Sequence, residues 1–226
     1  MNASAKSVSK RVVILTNSPI TDYSNIRPRL QAADAIICAD GGANHLAALN
    51  LTPDLVIGDM DSVTPALQAD LRQKGVRFEV FPVDKDETDL ELAIRLAIDE
   101  GATEVEVITT LGGRMDQALA NLLLLTRPEW TGVPLRAVSE NEVAWLVREG
   151  GHTTIRGAAG DTVSLIPLSH HVTGLTFSGV KWPLTGATLT LGSTWTISNR
   201  LVNPEAHVQL KTGLLLVIHR PRAAGD

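Results

Sequence analysis

Eight of the fourteen aspartates in the chain fall between Asp40 and Asp89: Asp40, Asp54, Asp59, Asp61, Asp70, Asp84, Asp86 and Asp89. An even spread would put about three in such a window, and a concentration of this kind is what a hard divalent cation requires. Asp59-Met60-Asp61 is the sharpest local pattern. In extended backbone, residues i and i+2 point to the same side, so these two carboxylates are expected to share a cation. An isolated Asp-x-Asp is usually a solvated turn. This one follows an apolar run and Gly58, and Asp40 and Asp89 hold matching places, which turns the reading toward metal. Mg²⁺ takes one or two carboxylates together with phosphate oxygens and water, and Ca²⁺ is less favoured because no EF-hand loop occurs.

A second pattern is Leu111-Gly112-Gly113-Arg114-Met115-Asp116-Gln117, between an apolar run and a helical one. Glycines at a helix start let backbone N–H groups approach an anion, and Arg114 adds a planar fork for phosphate oxygens. A plain tight turn with a surface arginine would read the same way. There is no Walker P-loop and no G-x-G-x-x-G, so P-loop and Rossmann dinucleotide readings lose their main support. The six histidines show no zinc-ligand spacing, and His170-His171 reads as a loop pair. Ser164 and Ser178 lack a nucleophile-elbow context. Cys38 lies in an apolar run and reads as a buried small hydrophobe.

These residues need a scaffold. Before Gly150, short β-branched runs at Val12–Leu15, Ala35–Cys38, Leu55–Ile57, Phe78–Phe81, Val105–Ile108 and Leu135–Val138 alternate with helical spacing. The clearest helix starts at Thr88, where Leu90, Ala93, Ile94, Ala97 and Ile98 line one face, Thr88 with Glu91 makes a capping box, and Gly101 closes the element. This alternation predicts a mostly parallel α/β sheet, whose ligands bind at the carboxyl ends of its strands. After Gly150–Gly151 the helical period disappears, Thr162–Ile166 and Thr188–Leu191 alternate polar and apolar residues, and Val208–Leu210 and Leu214–Ile218 read as further strands. Gly and Pro punctuate them, as in a small antiparallel sandwich or barrel. The expected division is an α/β nucleotide- and metal-binding domain over 1–150 and a β-sandwich over 151–226.

Composition narrows the class. The chain has 226 residues, 44% of them hydrophobic and 20% charged, with a net charge of −5. This is globular composition without the basic field of a nucleic-acid binder. A single cysteine forbids an internal disulfide and a cysteine zinc cluster. Lys10 and Arg11 precede only four apolar residues, Val12 to Leu15, too few for a secretory h-region, and no run approaches a membrane span. The expectation is a reduced, cytoplasmic, soluble protein with no nucleic-acid and no membrane partner.

In order along the chain, these stretches resemble the thiamine pyrophosphokinase (thiamine diphosphokinase) family. Asp40-Gly41-Gly42-Ala43-Asn44 is similar to its first nucleotide-site motif, and Pro53-Asp54-Leu55-Val56-Ile57-Gly58-Asp59-Met60-Asp61-Ser62 to its acidic metal motif. Asp84-Lys85-Asp86-Glu87-Thr88-Asp89 and the stretch Leu111 to Gln117 resemble the third and fourth. Lys181-Trp182-Pro183-Leu184 and Ser198-Asn199 resemble the thiamine-side motifs. Met60 and Leu90 stand where the family frequently carries an aromatic, Gln117 where some bacterial members carry His, and Arg200 where an acid is common.

The resemblance implies an α/β domain joined to a β-sandwich, a homodimer with the thiamine site near the subunit interface, and Mg²⁺-dependent pyrophosphoryl transfer from ATP to thiamine. By the same resemblance Asp59, Asp61 and Asp89 hold metal. Gly41, Gly42, Asn44, Lys85, Thr88, Gly112, Gly113, Arg114 and Gln117 face ATP. Trp182, Ser198 and Asn199 face thiamine, and Asp40 and Asp116 help orient the catalytic set completed by Arg114. Two other readings share the acidic half: a pyrophosphokinase acting on a hydroxymethylpterin, and a non-catalytic nucleotide or thiamine sensor.

Overall fold

Val12, Val13, Ile14 and Leu15 are each at most 1% exposed, as a run of aliphatic residues becomes when both faces of its strand are covered. The computed structural model describes residues 9–109 and 114–222. Two compact units divide the chain, Met1–Glu140 and Asn141–Asp226.

The first unit runs β1 (Arg11–Leu15), α1 (Arg27–Gln31), β2 (Ala35–Ala39), α2 (Gly42–Ala48), β3 (Leu55–Gly58), α3 (Pro65–Gln73), β4 (Arg77–Val80), α4 (Asp89–Asp99), β5 (Glu104–Ile108), α5 (Met115–Leu124) and β6 (Leu135–Val138). Its strands lie in the order β6-β5-β1-β2-β3-β4, every pair parallel. The chain steps outward from β1 to β4 and then returns to the other side of β1, so the topological switch point falls between β1 and β5. A carboxylate lies in the apolar interior. Glu106 on β5 is fully buried, with Arg11 at 2.6 Å and Arg29 at 2.7 Å neutralising it. Removing either arginine would leave a buried charge short of a partner.

Helix α4 forms as its periodicity predicts. Leu90, Ala93, Ile94 and Ala97 are buried, and Thr88 caps the helix by accepting a hydrogen bond from Glu91 N at 3.2 Å. The expected capping box closes on one side only. Glu91 turns its carboxylate to Arg127 at 2.6 Å and Arg95 at 3.3 Å, because two guanidinium partners are stronger than one backbone N–H.

The second unit is an antiparallel β-sandwich. It comprises β7 (Val143–Val147), β8 (His152–Arg156), β9 (Thr162–Pro167), β10 (His171–Ser178), β11 (Leu184–Thr190), β12 (Asn199–Arg200), β13 (Glu205–Gln209) and β14 (Leu215–Arg220). One layer has the order β12-β9-β14-β7 and the other β11-β10-β13-β8. Leu165, Leu175, Phe177, Leu189, Val208 and Val217 fill the space between them. The polar–apolar alternation of Thr162–Ile166 appears as strictly alternating burial along β9. The expected boundary at Gly150–Gly151 differs from the observed division. β7 pairs with β14, so it belongs to the sandwich, and Gly150 (φ 69) with Gly151 forms the corner where the chain leaves one layer for the other.

Candidate active site

Strand ends and one helix start bring four of the eight clustered aspartates together. Asp40 follows β2 directly, with φ 47 and its N–H donating to the Ile57 carbonyl at 2.7 Å. Asp59 and Asp61 follow β3, and one carboxylate oxygen from each of Asp40, Asp59 and Asp61 lies within 4.8 Å of the others. Asp89, in the first turn of α4, stands beside this set and not in it. A Cβ built on Gly58 (φ 146) would lie 3.2 Å from both the Asp40 Cβ and the Asp89 Cγ. Of the remaining acids, Asp54 accepts a hydrogen bond from Ile36 N at 2.7 Å and fastens β2 to β3, Asp70 pairs with Lys74 at 2.8 Å on α3, and Asp84 and Asp86 are exposed.

The carboxylates of Asp59 and Asp61 converge by a different route from the extended one expected. Met60 has φ 68 and is buried at 7% exposure, so the segment is a turn. Drawing the thioether side chain into the core rotates the backbone into the left-handed region, which a non-glycine residue adopts only when its surroundings hold it there. Asp61 N donates to Asp59 Oδ1 at 3.0 Å, and Ser62 Oγ donates to Asp61 Oδ1 at 2.9 Å. Gln68 Nε2 donates to the carbonyls of Met60 and Val63 at 3.2 and 2.9 Å. Sequence motifs do not reveal this brace, since Gln68 has the look of an ordinary helix-surface residue.

Charge in the cluster is poorly balanced. Lys85 lies 3.0 Å from Asp89 Oδ1 and donates to the Pro82 carbonyl at 3.0 Å, so it is an acid partner here and not a free cation. Burial lifts the Asp89 carboxyl above its ordinary value. Lys85 opposes the shift, and the charges of Asp40 and Asp59 add to it. Asp40 Oδ1 is buried without a hydrogen-bond partner, and Asp89 Oδ1 has only the ammonium of Lys85. A buried carboxylate oxygen without a donor, gathered with hard-oxygen neighbours, fits a divalent cation of the Mg²⁺ type.

The glycine pair after Asp40 has a structural cause. A Cβ on Gly41 would fall 2.3 Å from Asn17 Cγ, and one on Gly42 would fall 2.2 Å from the Leu15 carbonyl oxygen. Close approach of the segment after β1 therefore demands both glycines, and an anion is not needed to explain them. Asn44 Nδ2 donates to the Ser62 carbonyl at 3.0 Å, tying α2 to the acidic turn. Thr88 is occupied as the cap of α4.

Arg114 and Asp116 are exposed and paired through Nε–Oδ1 and Nη2–Oδ2 contacts of 3.1 and 2.5 Å. The hydrogen bond from Arg114 lowers the Asp116 carboxyl below its usual range. Gln117 is exposed on α5. Gly112 and Gly113 lie outside the described residues.

In the sandwich, Trp182 is 54% exposed. Asn199 is buried at 4% and clasps the Trp182 backbone in both directions, its Oδ1 accepting from Trp182 N at 3.1 Å and its Nδ2 donating to Trp182 O at 2.8 Å. Lys181 Nζ lies 4.8 Å from the centre of the Trp182 ring. Ser198 is exposed with φ 60, held by its N–H donating to Ser164 Oγ at 3.0 Å. Trp195, at 59% exposure on the same turn as Ser198, is a second surface indole that no motif singled out.

A parallel α/β unit with three carboxylates at its strand ends and a fourth at a helix start, followed in the same chain by a β-sandwich, suits a phosphoryl-group transferase that works with a divalent cation. Residues 26–136 match the family profile "Thiamin pyrophosphokinase, catalytic domain", and residues 152–215 match "Thiamin pyrophosphokinase, vitamin B1 binding domain". The chain belongs to the thiamine pyrophosphokinase family. A thiamine pyrophosphokinase of Bacillus subtilis is 29% identical over 182 residues, covering 80% of this chain and 85% of that protein. A solved structure of a Bacillus subtilis thiamine pyrophosphokinase superposes with TM-score 0.82 at 26% identity, covering 94% of this chain and 99% of the other. One from Geobacillus thermodenitrificans gives 0.78 at 25% identity, with coverages of 95% and 99%. No helix among the described residues is long and apolar enough to cross a membrane.

Proposed function

We infer that this protein transfers the pyrophosphoryl group of ATP to the hydroxyl of thiamine, giving thiamine diphosphate and AMP. The observation that carries the reading is the convergence of Asp40, Asp59 and Asp61, with Asp89 beside them, in a chain whose two parts match the catalytic and the vitamin B1-binding profiles of one family. The match over 152–215 speaks against the hydroxymethylpterin reading, and a complete acid set speaks against a non-catalytic sensor.

The reaction forms a bond between the thiamine hydroxyl oxygen and the β-phosphorus and breaks the bond from that phosphorus to the oxygen of the α-phosphate. AMP leaves with that oxygen, and the hydroxyl proton passes to water. Such a transfer needs positioning and charge neutralisation more than covalent help. Asp59 and Asp61 would hold Mg²⁺ with Asp40 completing the set and Asp89 at its margin; the bound ion neutralises charge between carboxylates and phosphates. Arg114, once it leaves Asp116, offers phosphate oxygens a planar pair of donors. Asn44 and Lys85 act here through the acidic turn and through Asp89, and Gly41, Gly42, Thr88 and Gln117 border the same strand ends. Trp182 offers thiamine an aromatic face, Ser198 a hydroxyl, and Asn199 holds Trp182 in place.

The exposed apolar side chains of the sandwich, Trp182, Leu191, Trp195, Ile197 and Val202, support a homodimer with thiamine bound near its interface. The lone Cys38, buried so that its thiol is pushed up, supports a reducing, cytoplasmic setting. Incubation with ATP, Mg²⁺ and thiamine followed by chromatography tests the activity. AMP and thiamine diphosphate should appear in equal amounts, and ADP with thiamine monophosphate would overturn the reading.

A further inference from the structure

At the β1/β5 switch point the sheet carries a chain of hydrogen bonds that neither the acidic cluster nor the sandwich uses. Asn121 Nδ2 lies 3.2 Å from Thr109 Oγ1, which lies 3.1 Å from Ser18 Oγ. Ser18 Oγ lies 2.8 Å from Thr16 Oγ1, which lies 3.1 Å from the Ile108 carbonyl oxygen. The two ends fix its direction. An amide nitrogen only donates and a carbonyl oxygen only accepts. The one arrangement that satisfies every bond therefore runs from Asn121 through Thr109, Ser18 and Thr16 to Ile108. Each hydroxyl accepts once and donates once, and Thr16 and Thr109 are buried at 8% and 2%. A largely buried network in which every hydroxyl is satisfied specifies one geometry.

What this network specifies is the seating of α5. The helix is poorly anchored by apolar contacts: Ala118 is its one buried side chain, and Leu125 is buried just past its end. Met115, Leu119 and Leu123, one turn apart from each other, are 82%, 56% and 46% exposed. Asn121 lies between Ala118 and Leu125 on the inward stripe, so it supplies the directional contact that a narrow apolar stripe lacks. Arg114 is the N-cap residue of the same helix, and Thr109 follows β5 directly. Any rotation of α5 about its axis carries Arg114 with it.

We propose that Asn121, Thr109 and Ser18 are positioning residues for the transfer, a relay that locks the rotation of α5 and so aims Arg114 at the phosphates of the nucleotide. The proposal rests on the reading of Arg114 as a phosphate donor. A displacement of about 1 Å in a positioned donor is enough to slow such a reaction many-fold.

The test is a coupling experiment on the whole protein. Asn121→Leu and Thr109→Val each remove one link at nearly constant volume, and each should raise KM for MgATP and lower kcat, about tenfold in kcat/KM, with KM for thiamine unchanged. Thr109→Ser keeps the hydroxyl and should restore the wild-type values. In an Arg114→Ala background, Asn121→Leu should add no further loss, because its effect runs through Arg114. Losses that multiply in that background, or KM values for ATP and thiamine that rise together, overturn the proposal. If Thr109→Val does not fold, the Asn121→Leu and Arg114→Ala pair decides alone, since Asn121 is only half-buried on a surface helix. MgATP affinity measured by calorimetry on the same variants scores the coupling without turnover. Wild-type protein that binds MgATP but forms no AMP would overturn the assigned reaction while the coupling is still read; wild-type protein that binds no MgATP would overturn both.

Discussion

Gly58 and Asp40 approach so closely that a Cβ on the glycine would stand 3.2 Å from the Asp40 Cβ, with the Asp89 carboxyl carbon equally near. The glycine at the end of β3 is therefore the floor on which the acids gather. Gly58→Ala must push Asp40 and Asp89 apart and also force alanine to φ 146. We expect a loss of about 1–3 kcal/mol in stability from overpacking and a fall in AMP formation of more than tenfold. Gly75→Ala is the control. Gly75 has φ 80 and nothing within 4 Å of its added Cβ, so its variant should lose stability and keep activity. Thermal unfolding and product assays on both variants separate backbone strain from displacement of the acids.

Neutralising an acid of the cluster should act in the opposite way on stability. Asp40, Asp59 and Asp61 hold like charges within 4.8 Å of one another. Repulsion among them disfavours the folded apo protein. Asp59→Asn and Asp61→Asn should leave the apo Tm unchanged or raised. The same variants should lose about 3 kcal/mol or more of transition-state stabilisation, above a hundredfold in rate. Asp40→Asn should behave likewise, because its unpartnered Oδ1 belongs to the same set. Full activity with wild-type Mg²⁺ dependence in any of the three would remove that residue from the site.

A third prediction concerns the sandwich alone. Asp161 is buried at 3% and accepts hydrogen bonds from Arg222 N, Ala158 N and His219 Nε2, each at 2.9 Å. Burial pushes its carboxyl up, but these donors outweigh it and the net shift is downward. A carboxylate that holds its proton less tightly when folded stabilises the fold above its unfolded value, about pH 4, and loses that contribution as pH falls through the folded value. Asp161→Asn should cost about 1–3 kcal/mol at pH 7. The deficit against wild type should shrink on acidification toward pH 3, as followed by circular dichroism. A deficit constant with pH would show that packing, not charge, is what Asp161 contributes.

Much of this arrangement is legible in the sequence because apolar runs and carboxylates speak locally. β1, β3 and β5 stand where Val12–Leu15, Leu55–Ile57 and Val105–Ile108 place them, and Thr88 starts α4 as its cap chemistry requires. The sandwich was harder to read. β8 is His-Thr-Thr-Ile-Arg, with Ile155 its one buried residue, so it carries no alternation to detect. β10 contains Gly174 in a left-handed conformation, which breaks the pattern at a bulge. At the site, the types of Asp59 and Asp61 were informative and their geometry was not. Met60 turns the backbone because its side chain finds a place in the core, and that depends on tertiary packing. The same holds for Asn199, whose motif pointed at a ligand while its buried amide holds Trp182.

Trp182 and Asn199 give the last prediction. The indole is exposed and its backbone is clamped by an amide buried beneath it, so it is a rigid aromatic surface held out to solvent. Thiamine has a neutral aromatic pyrimidine and a cationic thiazolium. The Lys181 ammonium, 4.8 Å from the ring centre, already lies over the indole and would repel a second cation there. Stacking of the pyrimidine on the opposite face is therefore the favoured contact. Stacking of this kind is worth roughly 0.5–1.5 kcal/mol, so Trp182→Ala should weaken thiamine binding by about two- to tenfold. ATP affinity should stay near its wild-type value, and sedimentation should give the same mass for variant and wild type. Asn199→Ala should also weaken thiamine binding, because the Trp182 N–H and carbonyl lose their partners, and it should lower stability by about 1–3 kcal/mol as well. In the double variant the two losses in thiamine affinity should not add, since Asn199 acts through the ring that Trp182→Ala has already removed. Additive losses would give Asn199 a contact with thiamine of its own, and a parallel fall in ATP affinity for Trp182→Ala would make the indole a structural residue.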